Sequence, residues 1–164
     1  MELIRYQPQD TDGSQAIAEK LDALLADFQQ FHGNLRKLHW NPRLRPFLDL
    51  GQKTAFLHDL TQANTNQLAE HILQMGYTPR VGLELPGTGL AHTRLTQVQA
   101  VSSFEGAVFT VIRNSQELLQ IIREVFLLAA DYQDQQTMRL MTALARQLTL
   151  TVQVFASVRM AQLN

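Results

Sequence analysis

Apolar residues recur at steps of three and four along most of this 164-residue chain, the spacing that lines one face of a helix. Ile17, Leu21, Leu24, Phe28, Phe31, Leu35 and Leu38 form the first stripe and predict a helix over 14–41, with Asp12 or Ser14 as its N-cap. Pro42 and Pro46 end it, because proline disfavours helical geometry in the residue before it and has no amide hydrogen to donate. Leu57, Leu60, Asn64, Leu68, Ile72 and Met75 make a second stripe over 47–75, closed by Gly76 as a left-handed C-cap with Pro79 beyond. A capping box at Ser102-Ser103-Phe104-Glu105 opens a third helix, which runs to about Asp131. Its stripe is Phe104, Val108, Val111 or Ile112, Leu118 or Leu119, Ile122, Val125 and Leu128. Asp134 then caps a fourth, where Met138, Met141, Leu144, Leu148, Val152, Phe155 and Val158 face inward almost to the C-terminus.

Four helices of around 28 residues, each about 42 Å long, predict an all-α four-helix bundle. Short links join the first helix to the second and the third to the fourth. Between 77 and 101, Pro79, Gly82, Pro86, Gly87 and Gly89 exclude a long helix and leave room for a short turn near Thr96 to Ala100. A connection of that length between the second and third helices can cross the bundle lengthwise, the ferritin-like connectivity. Residues 1–164 thus form one domain, with 1–13 as a short N-terminal tail.

Composition narrows the chemistry. Lys+Arg total 14 against Asp+Glu 15, so no basic excess argues for a nucleic-acid grip. Cysteine is absent, which removes disulfides, thiolate catalysis and cysteine-ligated metal centres and leaves His, Asp and Glu as metal ligands. The N-terminus lacks the pattern of a secretion signal and no apolar run approaches a membrane span, so a cytoplasmic protein with no membrane partner is expected.

Ferritin-like bundles with iron chemistry often carry Glu-x-x-His, because residues three apart share a helix face. No glutamate in this chain stands three residues before a histidine, so a symmetric di-iron core has no support. His32 and His39 lie two turns apart on one side of the first helix, and His32 is expected partly buried beside the core. His58 and Asp59, as neighbours, are expected to diverge towards solvent. His71, next to Glu70, is expected at a surface or interface, and His92 falls in the long link.

Asn34-Leu35-Arg36-Lys37-Leu38-His39-Trp40-Asn41, Leu68-Ala69-Glu70-His71-Ile72 and the upstream Leu24-Leu25-Ala26-Asp27-Phe28 together resemble the miniferritins of the starvation-induced DNA-protection family, Dps. Asp134-Gln135-Gln136-Thr137 is similar to the Asp-Glu-Gly-Thr that opens the family's last helix, and the resemblance covers roughly residues 20–160. It implies a subunit with a short extra helix in the long link, assembled as a hollow homo-dodecamer that oxidises ferrous iron and stores the ferric mineral. Iron oxidation and storage of this kind serve iron homeostasis and oxidative-stress protection. The implied site, shared between two subunits, takes the histidine of His-Trp, a second histidine twelve residues later, an acid four residues after that, and an Asp-x-x-x-Glu pair further along.

Carried over residue by residue, that pattern breaks. His39 and Glu70 stand at the first and last positions, but Gly51 replaces the second histidine, Ala55 the acid and Asn66 the aspartate. One formal negative charge is too little for tight iron binding, so weak or absent iron oxidation is expected. Gln135 and Arg139 stand where the family commonly has acids near its iron entry pore, and Gln153 where it has a tryptophan. Two alternatives stay open: an active miniferritin with a displaced site using His39, Asp59, Asn66 and Glu70, and a structural subunit co-assembling with a competent paralogue. DNA is not expected as a partner, since the tail carries Arg5 against Glu2, Asp10 and Asp12, and the whole chain has only three lysines.

Overall fold

A computed structural model describes residues 13–80, 93–99 and 101–162. Four helices account for most of them: α1 Ser14–His39, α2 Leu48–Gln74, α3 Phe104–Asp131 and α4 Gln135–Gln162. Each lies within two residues of the span its apolar stripe predicts. The stripes meet in one core, with Leu21, Leu24, Phe28, Leu68, Leu118 and Leu144 all fully buried. The α1–α2 and α3–α4 pairings are the most extensive, α1 against α3 joins the two pairs, and α2 meets α4 over a smaller area.

The helix ends show where local chemistry overrides simple cap patterns. Gly13, not Ser14, precedes α1, with φ at +89°, and a Cβ there would lie 2.3 Å from the Tyr132 ring. Only glycine meets both demands, so the start of α1 is seated on the turn between α3 and α4. Asp12 lies outside the described residues. At α3 the cap is Ser103, whose side chain accepts the Gly106 N–H at 3.1 Å, one residue later than the expected capping box from Ser102. This register makes Phe104 the first helical residue and sets its ring 4.9 Å from that of Phe47. Gly76 closes α2 as expected, with Tyr77 N–H reaching Ile72 O and Gly76 N–H reaching Leu73 O. The same pair of bonds ends α3, but there the left-handed position is filled by Gln133, at φ +58°.

A polar ladder along α1 holds the long connection lengthwise. Asp22 accepts the Arg80 N–H at 2.7 Å, and the buried Asp27 accepts those of Arg94 and Leu95 at 2.7 and 2.9 Å. Asn34, also buried, donates to Thr96 O and accepts from Val98 N–H, and Asn41 donates to Val101 O. From Asp22 to Asn41 is about 28 Å of helix, so the chain returns along most of α1. Arg94 then forms a two-pronged pair with Glu124 on α3, at 2.7 and 2.8 Å. Residues 93–99 bend without forming a helix; the remaining stretch that could hold the expected short helix, 81–92 and 100, lies outside the described residues, as do His92 and tail residues 1–12. A 3-10 turn, Pro42–Leu44, the only one among the described residues, lies between α1 and α2, where the Asn41 side chain accepts the Arg43 N–H at 3.0 Å. No described helix is long and apolar enough to cross a membrane.

Candidate metal centre

The His-Trp-Asn element ends α1 and splits its three side chains between two directions. Asn41 turns inward to Val101, whereas His39 and Trp40 face out, Trp40 with 69% of its surface exposed. The Arg36 guanidinium lies over the Trp40 ring, 5.4 Å from its centre. Because α2 runs back along α1, the residues twelve and sixteen positions after His39 arrive beside it. His39, Gly51 and Ala55 share the wall of one open cavity of about 310 Å³ with Phe47, Leu50 and Arg45. The convergence that the family resemblance implies is therefore present, but two of its three positions bring no ligand. A Cβ on Gly51 would meet nothing within 4 Å, so the space of the missing side chain is open. The Thr54 hydroxyl, on the same wall, is spent on the carbonyls of Leu50 and Gly51 at 2.9 and 3.0 Å.

Glu70 and Asn66 lie elsewhere. Fifteen residues of α2 separate Ala55 from Glu70, about 22 Å at the rise of an α-helix, so His39 and Glu70 cannot touch one ion within a single chain. Both are exposed. The Asn66 carbonyl oxygen accepts a hydrogen bond from Gln62 at 3.2 Å. Asp59 shares the face of Asn66 and Glu70, but eleven residues put it about 16 Å from Glu70 along the axis. Its carboxylate meets the His58 ring at 3.2 Å, so these neighbours do not diverge as expected; the same ring lies tilted against that of His32, 4.0 Å between centres. Among the described residues no three His, Asp or Glu side chains are placed to hold a metal ion.

Two histidines are buried rather than displayed. His32 is half-buried beside the core, as expected, and its pKa is lowered by burial first and by His58 and Arg36 after that, with Asp59 opposing. His71 departs from the expected surface or interface position: it is buried between α2 and α4, its Nε2 2.8 Å from Thr137 Oγ1. Thr137 donates its own hydroxyl to Asp134, so it must accept from a protonated Nε2. Asp134 completes the network by accepting the N–H groups of Gln136 and Thr137, capping α4. Burial lowers the His71 pKa and Asp134 acts against it. The signal was available, since His71 falls three residues after Leu68, inside the α2 stripe.

Compared with protein-family models, the chain matches none. It is 31% identical over 124 residues to an uncharacterized protein of Haemophilus influenzae, a match that covers 76% of each. Over 63 residues it is 33% identical to the DNA protection during starvation protein of Porphyromonas gingivalis, 38% of this chain and 40% of that one. Among solved structures, the DPS protein of Vibrio cholerae O1, described as a member of a broad superfamily of ferritin-like diiron-carboxylate proteins, superposes with TM-score 0.81 at 25% identity, covering 88% of this chain and 89% of that one. A Dps protein from Bacillus brevis gives 0.80 at 20% identity over 92% and 99% of the two chains, a likeness of fold alone. With the bundle, the lengthwise connection and the His-Trp-Asn element in place, these likenesses identify the chain as a ferritin-like four-helix bundle that belongs to the Dps family.

Proposed function

We propose that this chain is a shell-forming miniferritin subunit whose iron-oxidising centre has lost most of its ligands, so that ferrous iron is oxidised weakly or not at all. One observation carries the reading: His39, Gly51 and Ala55 line one cavity, where no other side chain can supply an anionic oxygen or a second imidazole. Iron is the substrate in this chemistry, and hard anionic oxygen is what it requires. The other half of the implied site adds Glu70 alone, because Asn66 is neutral and its carbonyl already accepts from Gln62. The residues present therefore do not fit the metal, and no catalytic step is assigned to them.

The separation of His39 from Glu70 supports a site that two chains must complete, and with it a homo-oligomer, a hollow dodecamer of the kind the family resemblance implies. Such a shell serves iron homeostasis or oxidative-stress protection in the cytoplasm through what it encloses or excludes rather than through fast oxidation. The test joins light scattering on the purified protein with stopped-flow iron oxidation by peroxide. A particle near twelve subunits without rapid oxidation supports the reading; a monomer, or oxidation at the rate of a competent miniferritin, overturns it.

A further inference from the structure

We infer that the groove between α2 and α4 binds a small, neutral aromatic molecule carrying one hydroxyl, a phenol. The two helices are pinned together towards one end by the contact of His71 with Thr137. About 15 Å further along each of them, past Leu60 on α2 and at Gln147 on α4, an open groove of about 460 Å³ lies between them. Phe56, Leu60, Leu150, Val154 and Phe155 give it a mainly apolar lining, and Phe56 and Leu150 keep 71% and 55% of their surface exposed. Large apolar side chains left open around a concavity of this size mark a binding surface. Leu60 stands half a turn around α2 from Gly51, so the groove and the His39 cavity open on different sides of that helix. Completing the His39 centre with a second chain does not occupy the groove.

Charge and hydrogen bonding select the ligand. The two charged side chains of the lining, Asp49 and Lys53, form an ion pair with each other, so no net charge draws an ion in. Phe56 and Phe155 offer ring faces and edges to an aromatic guest. The Thr151 hydroxyl is spent on the backbone carbonyl of Gln147 at 3.0 Å. The side-chain oxygen of Gln147, by contrast, is buried with no hydrogen-bond donor among the described residues. An acceptor in that state has given up its water without compensation, so a ligand O–H that reaches it gains more than the same bond made to a solvated group. A hydroxyl on an apolar ring supplies the donor without bringing a charge into the groove. This ligand class follows from the α2–α4 lining alone and does not depend on whether the iron-oxidising centre is lost.

Equilibrium dialysis of the purified protein, in the oligomer it forms, against 4-ethylphenol, ethylbenzene and 4-ethylbenzoate tests the proposal. Binding of 4-ethylphenol should saturate at one molecule per chain, and 4-ethylbenzoate should not bind. Gln147→Met keeps the length of the side chain and removes the acceptor, and should lower the preference for 4-ethylphenol over ethylbenzene about fivefold. Leu150→Trp, at an exposed position, should fill the groove and abolish binding of both, with the circular dichroism spectrum and particle size unchanged; Val154→Trp repeats the test should Leu150→Trp change either. Binding without saturation, equal binding of 4-ethylbenzoate, binding that survives a filled groove, or an unchanged preference in Gln147→Met would overturn the proposal. A crystal structure with a neighbouring copy seated in the groove would overturn it as well.

Discussion

Asp27, buried within α1, accepts the backbone N–H of Leu95 at 2.9 Å from a position 68 residues earlier in the chain. The same oxygen takes the Arg94 N–H, so one carboxylate fixes the end of the long connection against the bundle. Asp27→Ala should cost about 2–4 kcal/mol, because two backbone donors lose their acceptor in a largely dry site. Asp27→Asn keeps an acceptor oxygen and should cost less. Urea denaturation of both variants measures the difference, and equal loss from the two would mean that the carboxylate's hydrogen bonds are not what fixes the connection.

Burial raises the Asp27 pKa from its ordinary value, against the opposing pull of the Leu95 and Arg94 amides and the Arg94 charge; Glu117 adds to the rise. The folded state therefore holds this proton more tightly than the unfolded one. Its contribution to stability is complete at low pH and is lost as pH rises through the folded pKa. The stability of the native protein relative to Asp27→Asn should accordingly fall as pH increases across that interval. A difference independent of pH would contradict the assignment.

His71 has the opposite sign. Its pKa is lowered by burial, so its contribution is present above the ordinary imidazole range, near pH 6.5, and is lost as pH falls through the folded pKa. Thermal unfolding followed from about pH 7 to 5 should show a falling melting temperature, with a shallower fall in His71→Gln, which retains a donor for Thr137. Identical slopes would remove His71 from the list of acid-sensitive groups.

The turn regions give a paired prediction. Gln133 occupies the left-handed conformation that glycine adopts without strain, and Gln133→Gly should stabilise by about 0.5–1 kcal/mol. Gly13→Ala should destabilise by about 2 kcal/mol or more, since the added methyl group meets the Tyr132 ring in a backbone geometry that alanine disfavours. Differential scanning calorimetry reads both, and a stabilised Gly13→Ala would contradict the close approach.

The four helices were legible because each carries a full stripe in register and because Gly76 and Asp134 mark ends by chemistry that acts over a few residues. The polar ladder was not. Asp27 and Asn34 interrupt the apolar pattern of α1 singly, and the connection residues they hold, Arg94, Leu95, Thr96 and Val98, lie more than sixty residues away in a segment with no periodicity of its own. At the candidate site, the meeting of His39 with Gly51 and Ala55 was legible only through the family resemblance, which pairs the His-Trp histidine with positions twelve and sixteen residues later. The gap of about 22 Å between the two half-sites follows from helix rise. What the stripe could not reveal was the contact of His58 with both Asp59 and the ring of His32 on the other helix, since side-chain rotamers decide both.

The proposed loss of the iron-oxidising centre is tested most directly by iron oxidation in the native protein beside a variant carrying the family's residues at the three positions, Gly51→His, Ala55→Asp and Asn66→Asp. Gly51 opens onto empty space, Asn66 is exposed and Ala55 lines the same cavity, so the backbone needs no rearrangement to accept them. With ferrous iron and peroxide in stopped flow, the native protein should oxidise iron no faster than buffer, and the triple variant should gain a rapid, saturable phase. Rapid oxidation by the native protein, unchanged by the three substitutions, would contradict the assignment of a lost centre.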